Sequence, residues 1–315
     1  MINQIIQTKQ FQEAFRHKII QVVAPASGAA LEKMTALRAI KTLNFHIPDD
    51  LLSNEIPYHA HNDEYRFQQL KSALLDNAEE KIIWMLRGGY GCARLLDRLR
   101  ELPVPRHQKI VIGFSDITAL HLFLSQHWHW PTIHGSVLTQ LVNTEQLPEN
   151  FLRIAEIITK KVSYQTIEPL VPLNSIAEFN EGIQGQLTGG NLTLLEDSIG
   201  THWQVQTQGK IMFVEEVGEK AYRIDRSLYH LFQAGIFKEV KAIILGDFLE
   251  PEGESQTHFA LNRFAEDMSL QGIPVYKTDQ FGHGKRNVPL IYHADSEIFF
   301  KKDKKTAVLR MTCQV

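Results

Sequence analysis

The chain has 315 residues, which is enough for one large domain or two domains of ordinary size. Its hydrophobic fraction of 43% is typical of a globular protein, and its net charge of -3 gives no electrostatic reason to expect nucleic acid or a membrane surface as partner. The two cysteines, Cys92 and Cys313, form no metal-binding spacing and indicate no disulfide framework. Because the sequence shows neither a signal peptide nor an apolar run of membrane length, we expect a cytoplasmic protein.

The first half of the sequence alternates apolar strand-like runs with segments of helical periodicity. The predicted strands are KIIQVV, KIIWML, KIVIGF and PTIH, and the predicted helices are ALEKMTALRAIKTLNF, RFQQLKSALLDNAEE, CARLLDRLREL and the segment after Ser115. Strand–loop–helix units in series are typical of an α/β fold with a parallel sheet covered by helices on both faces. Ligands bind at the carboxyl ends of the strands in such sheets, so we expect Gly88–Gly91, Ser115 and His134 to share one edge.

The pattern changes over residues 166–182, which contain two prolines and no sustained helical period. We interpret this segment as a linker between an N-terminal α/β domain, residues 1–165, and a C-terminal α/β domain, residues 183–315. The C-terminal part again alternates strands and helices. Its predicted elements are a strand, a Gly-Gly-Asn turn and a helix in IQGQLTGGNLTLLEDSIG, the strands GKIMFVEEV, VKAIILGDF and PVYK, and the helices YRIDRSLYHLFQ and FALNRFAEDMSLQ.

Ser115 lies between the strand KIVIGF and a helical segment, and two interpretations are open. Its hydroxyl could cap the helix by accepting a hydrogen bond from a backbone N–H. It could also be a nucleophile on a sharp strand-to-helix turn, although the segment from Gly113 to Ile117 has only the first glycine of the G-x-S-x-G pattern. In the second case the helix N-terminus, including the backbone N–H of Asp116, would face a developing oxyanion.

The segment RGGYG, from Arg87 to Gly91, follows one predicted strand and precedes a helix. Glycines in this position allow the backbone to approach an anion or a carbonyl oxygen closely. The spacing does not match the G-x-G-x-x-G pattern of dinucleotide binding, and no acidic residue ends the next strand. A plain tight turn and an oxyanion-binding loop therefore remain as alternatives.

A serine nucleophile needs a base, and the base needs an orienting carboxylate. Among 14 histidines, His283 is favoured because glycines on both sides give close access, and His134 is the competitor. Glu215 and Glu216 end a predicted strand; adjacent residues face opposite ways, so only one can point into a shared site, and the pattern does not choose between them. Arg223, shortly after, could bind a substrate carboxylate.

The metal and cofactor interpretations find little support. No H-E-x-x-H or C-x-x-C spacing occurs. The histidines and aspartate of HAHND, residues 59–63, are explained equally well by a polar loop. We therefore expect neither a metal nor a cofactor.

Taken in order, several motifs together resemble the serine LD-carboxypeptidases, the muramoyl-tetrapeptide carboxypeptidases of peptidoglycan recycling. They are RGGYGCARLL, IGFSDITALHL, IHGS, LTGGNLTLL, FVEEVGEKAYRIDRSL and FGHGKRNVPL, and the resemblance extends from about residue 22 to residue 290. It implies a Rossmann-like or flavodoxin-like three-layer domain followed by a swivelling β/α/β-type domain, with a Ser–His–Glu triad between them. Matched position by position, Ser115 would be the nucleophile, His283 the base and Glu215 the orienting acid, with Glu216 as the alternative.

The resemblance also implies an oxyanion hole built from backbone N–H groups of Asp116 and of the RGGYG turn, where Gly89 is favoured over Gly88. The implied reaction removes the terminal D-alanine of a muropeptide tetrapeptide, and the implied assembly is a homodimer without nucleic acid or membrane partners. An exopeptidase must hold the free carboxylate of its substrate. The candidate cations are Arg87, Arg223, Lys285 and Arg286.

Two other functions are compatible with the sequence. Relatives in the same family cleave peptidyl-nucleotide antibiotics of the microcin type, and an aromatic platform for the nucleobase would be expected in the interdomain segment. The stretch SYQTIEPLVPLNSIAEFNEG, residues 163–182, has Tyr164 and Phe179 but no tryptophan, which favours the muropeptide. The alternative from another class is a non-catalytic α/β protein that binds a phosphate at its glycine loop.

Overall fold

The computed structural model describes residues 4–77, 81–143, 146–178, 182–250, 254–301 and 303–315. The chain forms two compact units. One contains Met1–Val162 together with Val315, and the other contains Ser163–Gln314.

The first unit carries a parallel sheet whose strands lie in the order β5-β4-β3-β1-β2. Its strands are β1 (Ile19–Val23), β2 (Phe45–His46), β3 (Lys81–Met85), β4 (Ile110–Gly113) and β5 (Ile133–His134). Its helices are α1 (Lys9–Phe15), α2 (Leu31–Ala39), α3 (Asp63–Leu75), α4 (Leu96–Arg100), α5 (Thr118–His127), α6 (Leu138–Leu141) and α7 (Pro148–Ile158), with 3₁₀ turns at Gln4–Gln7, Ala93–Leu95 and Ser115–Ile117.

The parallel sheet confirms the predicted α/β class of this half. Successive residues of β3, from Ile82 to Met85, are all fully buried, so both faces of the strand are covered. A strand covered on both faces is a continuous apolar run rather than an alternating one, which is why the strands of this half were visible in the sequence. The two-residue strand β2 is too short to leave such a pattern.

The second unit contains a closed barrel with the strand order β10-β6-β13-β12-β7-β8-β9. Its strands are β6 (Tyr164–Pro172), β7 (Ile183–Asn191), β8 (Ile211–Val217), β9 (Ala242–Leu249), β10 (Val275–Lys277), β11 (Leu290–Ile291), β12 (Asp295–Lys301) and β13 (Thr306–Thr312). Its helices are α8 (Ser175–Glu178), α9 (Leu192–Asp197), α10 (Ala221–Gln233) and α11 (Glu254–Leu270). Strands β7 to β10 pair in parallel, whereas β6, β12 and β13 close the barrel by antiparallel pairing.

The predicted linker at 166–182 differs from the structure, because residues 164–172 form β6 of the second unit and residues 175–178 form α8. The buried side chains of β6 alternate as far as Ile167, and the pairing with β13 then shifts register. Pro169 and Pro172 lie in the second part of the strand. Because proline is normally excluded from strands within a sheet, these prolines favoured a linker in the sequence.

The predicted Gly-Gly-Asn turn is also absent, since Gly189 and Gly190 belong to β7. Gly189 has φ of 137°, and a side chain there would overlap the carbonyl oxygen of Phe213 on β8. Glycine at this position serves close approach of two strands rather than a chain reversal. We predicted no strand over residues 295–312, where β12 and β13 lie.

None of the helices in the described ranges is long and apolar enough to cross a membrane. The longest of them, α11, extends over 17 residues.

Candidate active site

Ser115 occupies a strained turn between β4 and α5. Its φ is 66°, in the left-handed region that residues other than glycine seldom adopt. The capping interpretation does not hold, because Phe114 and Ile117 occupy the N-cap positions of the two helical segments and neither makes a side-chain cap. A strained strand-to-helix turn is instead the backbone arrangement of a nucleophile elbow, although the second glycine of that motif is missing.

The glycine loop passes directly against Ser115. A Cβ atom on Gly88 would lie 2.9 Å from Cβ of Ser115 and 3.1 Å from its Oγ, so only glycine allows the backbone this close to the hydroxyl. Gly89 has φ of 110°, and a side chain there would overlap Ser27. The end of β3 and the end of β4 therefore lie together at one edge of the sheet, as the parallel arrangement predicts.

Two charged side chains hold this loop in place: Arg66, which sequence reasoning missed, and Asp116, for which it predicted a role of the backbone N–H alone. The carboxylate of Asp116 accepts a hydrogen bond from the backbone N–H of Cys92 at 2.8 Å, and only 2% of Asp116 is exposed. Arg66, also buried, donates to the carbonyl oxygens of Gly91, at 2.9 Å, and of Pro25. These bonds tie the RGGYG loop to the turn that carries the serine, so Asp116 contributes its side chain and not only its backbone.

Ser27 forms a third attachment of the loop. Its backbone N–H donates to the carbonyl of Gly88 at 3.2 Å, and its hydroxyl oxygen accepts from the N–H of Tyr90 at 3.2 Å. The same hydroxyl donates to the carbonyl of Tyr58 at 2.7 Å. Contacts across tens of residues leave no local signal in the sequence.

The second unit contains an acid–base pair, Glu215 and His283. Nδ1 of His283 lies 2.6 Å from Oε2 of Glu215, whose side chain is fully buried. A carboxylate can only accept, so Nδ1 carries the hydrogen and Nε2 is the nitrogen left to act as a base. Burial lowers the pKa of His283, but the negative charges of Glu215, Glu216 and Asp247 outweigh burial and raise it overall.

Glu216 makes a different set of bonds, which separates the two candidate acids. Its carboxylate accepts from Nδ2 of Asn191 at 3.0 Å, from the N–H and hydroxyl of Thr193 at 2.9 and 2.8 Å, and from the N–H of Val217 at 2.8 Å. It therefore fastens the start of α9 to the end of β8. Burial raises the pKa of Glu216, and these hydrogen bonds oppose the shift. The imidazole of His283 is paired with Glu215.

The glycines on both sides of His283 pack against Asp247, near the end of β9. A Cβ on Gly282 would lie 2.7 Å from Cβ of Asp247, and a Cβ on Gly284 would lie 2.5 Å from its Oδ2. The backbone N–H of Gly284 donates to the same oxygen at 3.1 Å. Sequence reasoning missed Asp247, although a charged residue that interrupts the apolar run VKAIILGDF was a usable signal.

The four candidate cations lie in different surroundings. Arg87, on the glycine loop, is exposed and donates to the carbonyl of Gly28 at 3.1 Å. Arg223, in the first turn of α10, is engaged with Glu219 and with the hydroxyl of Tyr222, each at 3.3 Å. The remaining two follow His283 and are exposed; they are Lys285 and Arg286.

The alternative base and the candidate metal site have surroundings that differ from those of His283. His134, the last residue of β5, is fully buried and lies in register with Gly113. In the HAHND segment, Asp63 lies 2.5 Å from both Arg66 and Arg94, and the resulting hydrogen bonds lower its pKa. Within the described ranges, no group of three or more His, Cys, Asp or Glu side chains is arranged to hold a metal ion.

Comparison with known proteins gives consistent results across the chain. The sequence model of the LD-carboxypeptidase N-terminal domain matches residues 20–135, and that of the LD-carboxypeptidase C-terminal domain matches residues 184–298. A relative from Rickettsia conorii that carries a carboxypeptidase name is 47% identical over 91% of this chain and 89% of its own length. The murein tetrapeptide carboxypeptidase of Pseudomonas aeruginosa is 31% identical over 85% of this chain and 89% of its own length.

Solved structures show the same fold. The muramoyltetrapeptide carboxypeptidase of Oxalobacter formigenes aligns with a TM-score of 0.75 at 24% identity, over 93% of this chain and 98% of that protein. A microcin self-immunity protein aligns with a TM-score of 0.76 at 19% identity, over 94% of this chain and 96% of that protein. The fold alone thus does not separate these two activities. From its two matched domains and these relatives, the chain belongs to the LD-carboxypeptidase family of peptidases.

Proposed function

We propose that the protein is a serine LD-carboxypeptidase that releases the terminal D-alanine from a muropeptide tetrapeptide. The observation that carries the proposal is the hydrogen bond between His283 and the fully buried Glu215, which presents Nε2 of the imidazole as a base. Ser115, on its strained turn beside the glycine loop, supplies the nucleophile of the same triad. The name of the Pseudomonas aeruginosa relative supports the choice of substrate.

The proposed reaction has two steps. Oγ of Ser115 attacks the carbonyl carbon at the L-centre of diaminopimelate, and Nε2 of His283 takes the hydroxyl proton. The tetrahedral intermediate then collapses, His283 returns the proton to the leaving amine, and D-alanine departs from an acyl-enzyme ester. A water molecule, deprotonated by His283, cleaves the ester and restores the serine.

The positive charge that develops on the imidazole and the negative charge that develops on the oxyanion would both be stabilised. Glu215 holds the imidazole in one tautomer and stabilises the imidazolium that forms after proton transfer. Backbone N–H groups of Gly89 and Asp116 would bind the oxyanion, and the contact between Gly88 and Ser115 supports a position for the loop at the reacting carbonyl.

We infer that Arg87 binds the free carboxylate of the substrate. It is exposed and directly precedes Gly88, the residue that contacts Ser115. Arg223 is a weaker candidate because Glu219 and Tyr222 already occupy its guanidinium. Arg87→Ala should raise KM for tetrapeptide more than it lowers kcat, and the same change at Arg100, an exposed arginine at the end of α4, is the control.

The decisive experiment follows free D-alanine from purified muropeptide tetrapeptide in the presence of EDTA. Ser115→Ala and His283→Ala should release none, and a serine-directed phosphonate should label only protein that keeps Ser115. Glu215→Gln should lose most activity, whereas Glu216→Gln is the matched control one position along β8. Unchanged release by Ser115→Ala would refute the serine mechanism, and no release by the wild type would refute the substrate.

The peptidyl-nucleotide alternative is tested with the same variants when an aminoacyl nucleotide replaces the tetrapeptide and the released free amino acid is followed. Tyr164, one of the two aromatic residues considered as a base platform, lies beneath the guanidinium of Arg310 at 5.0 Å. Phe179, the other, lies outside the described residues. Faster cleavage of the aminoacyl nucleotide would favour an immunity function.

The cellular part of the proposal is that the enzyme acts as a homodimer in cytoplasmic peptidoglycan recycling. The carboxypeptidase names of its relatives support a role with murein peptides. Deletion of the gene should cause tetrapeptides to accumulate in the cytoplasmic fraction. Light scattering of the purified protein measures the assembly, and a monomeric mass would contradict the dimer.

A further inference from the structure

We propose that Asp247 is a positioning residue of this site: its carboxylate fixes the loop that carries His283 and places another negative charge near the imidazole. The inference rests on the function proposed above, because it concerns the base of the same reaction. Asp247 does not belong to the Ser–His–Glu set and would act only through His283.

The loop is attached to Asp247 at both of its ends. The backbone N–H of Asp247 donates to the carbonyl of Phe281 at 2.9 Å, and the backbone N–H of Gly284 donates to Oδ2 of Asp247 at 3.1 Å. His283 lies between these two bonds. One residue of β9 therefore determines the path of the loop before and after the histidine.

The packing of the loop leaves no space for side chains next to His283. Gly282 has φ of 131°, and Cβ atoms on Gly282 or Gly284 would come within 2.7 and 2.5 Å of the Asp247 side chain. Gly282 is thus required by its backbone conformation and by contact with Asp247, whereas a side chain at position 284 would displace the carboxylate of Asp247. The Gly-His-Gly sequence therefore indicates a loop that packs closely against the carboxylate of Asp247, as well as an accessible histidine.

The charges around the two groups make them interdependent. Asp247 faces the N–H of Gly284 and the charges of Lys277, Asp279 and Glu215, while burial has the largest effect and raises its pKa to about 6. His283 faces three carboxylates, those of Glu215, Glu216 and Asp247. Removal of the Asp247 charge should therefore lower the pKa of His283, so that the base is available at lower pH.

The ammonium of Lys277 also acts on Asp247, and its positive charge opposes the rise in the pKa of this carboxyl. Lys277 donates hydrogen bonds to the carbonyl oxygens of Gly246 and Thr278, at 2.7 and 2.9 Å.

The test measures kcat/KM for tetrapeptide from pH 4 to pH 9 in Asp247→Asn, Asp247→Ala and the control Asp279→Asn. Asp279 is exposed and close in the chain, but it makes no bond to the loop among its hydrogen bonds in the described part of the protein. Asp247→Asn should move the acidic limb to lower pH by about half a unit or more. Asp247→Ala should move it equally and also lower kcat about tenfold or more, because the N–H of Gly284 loses its acceptor.

Two further measurements keep the inference testable if these variants fold poorly or the substrate is wrong. Gly284→Ala displaces the carboxylate but keeps its charge, so kcat should fall while the acidic limb stays near that of the wild type. The NMR titration of the His283 ring, assigned with His283→Ala, needs no substrate and should show a lower pKa in Asp247→Asn. An unchanged titration, or an equal change in Asp279→Asn, would overturn the role of Asp247, whereas absence of D-alanine release by the wild type would refute only the proposed function.

Discussion

Replacing Asp247 by asparagine should stabilise the folded protein at neutral pH, in addition to moving the acidic limb of kcat/KM to lower pH. Burial raises the pKa of this carboxyl from its ordinary 3.8 to about 6. A carboxyl whose pKa is higher in the folded state contributes stability that is fully present below pH 3.8 and is lost as the pH rises through 6. Asparagine has nearly the same shape and never ionises, so the variant avoids this loss.

The size of the effect follows from the shift. About two pKa units at 1.36 kcal/mol each correspond to a loss of about 3 kcal/mol in the free energy of unfolding at pH 8. About half of this loss is already present at pH 5. Partial exposure of Asp247 and the two new donors of the amide reduce the gain to about 1–2 kcal/mol at pH 8. For a domain of about 150–250 residues, this raises Tm by about 3 to 6 °C.

Thermal unfolding by circular dichroism at pH 5, 6, 7 and 8 checks this prediction, with Asp279→Asn as the control. The difference in Tm between Asp247→Asn and the wild type should grow as the pH rises. A constant difference over this range, or a lower Tm for Asp247→Asn at pH 8, would show that the ionised carboxylate costs the fold nothing. A gain in stability coupled to a shifted pH profile of kcat/KM would identify a residue retained for function.

Three further predictions concern Ser115, the two adjacent glutamates of β8 and Gly189. Ser115→Gly should raise the free energy of unfolding by about 1 kcal/mol while abolishing activity, because glycine tolerates φ of 66°; an unchanged urea midpoint would contradict the strain. Glu215→Gln should lower kcat about 10³- to 10⁴-fold, because Glu215 is the partner of His283. Glu216→Gln weakens the bonds to Asn191 and Thr193 and should mainly lower Tm. Equal losses of kcat in the two variants would contradict these separate roles. Gly189→Ala should lower the free energy of unfolding by about 3 kcal/mol or more, because the new Cβ overlaps a carbonyl oxygen of β8. Urea unfolding measures this change against Gly182→Ala, where a Cβ has open space, and near-wild-type stability would refute the close strand approach.

The parallel sheet of the first unit could be predicted because its signal is local. Buried runs such as KIIWM and IVIG, each followed by a turn and a helical segment, are visible without knowledge of any contact. The same alternation placed Gly88 and Ser115 at the ends of neighbouring strands, and the structure brings them into contact.

The barrel of the second unit could not be predicted in full, because its closure depends on pairings between distant strands. Strand β6 pairs with β13, more than 130 residues later, and its two prolines pointed away from a strand. The sequence predicts a turn at Gly189 because it does not show that β8 packs closely against this residue.

The sequence by itself determined which kinds of chemical group are available and where they lie relative to strands: a serine at a strand-to-helix junction, two acids at a strand end and a histidine between glycines. Only the tertiary structure decided that Ser115 does not cap its helix, that Glu215 rather than Glu216 pairs with His283, and that Asp247 lies beneath the histidine loop. The physical reason is that composition and periodicity are properties of neighbouring residues. Side-chain direction at a strand end and hydrogen bonds across 37 or 68 positions arise only when distant segments pack together.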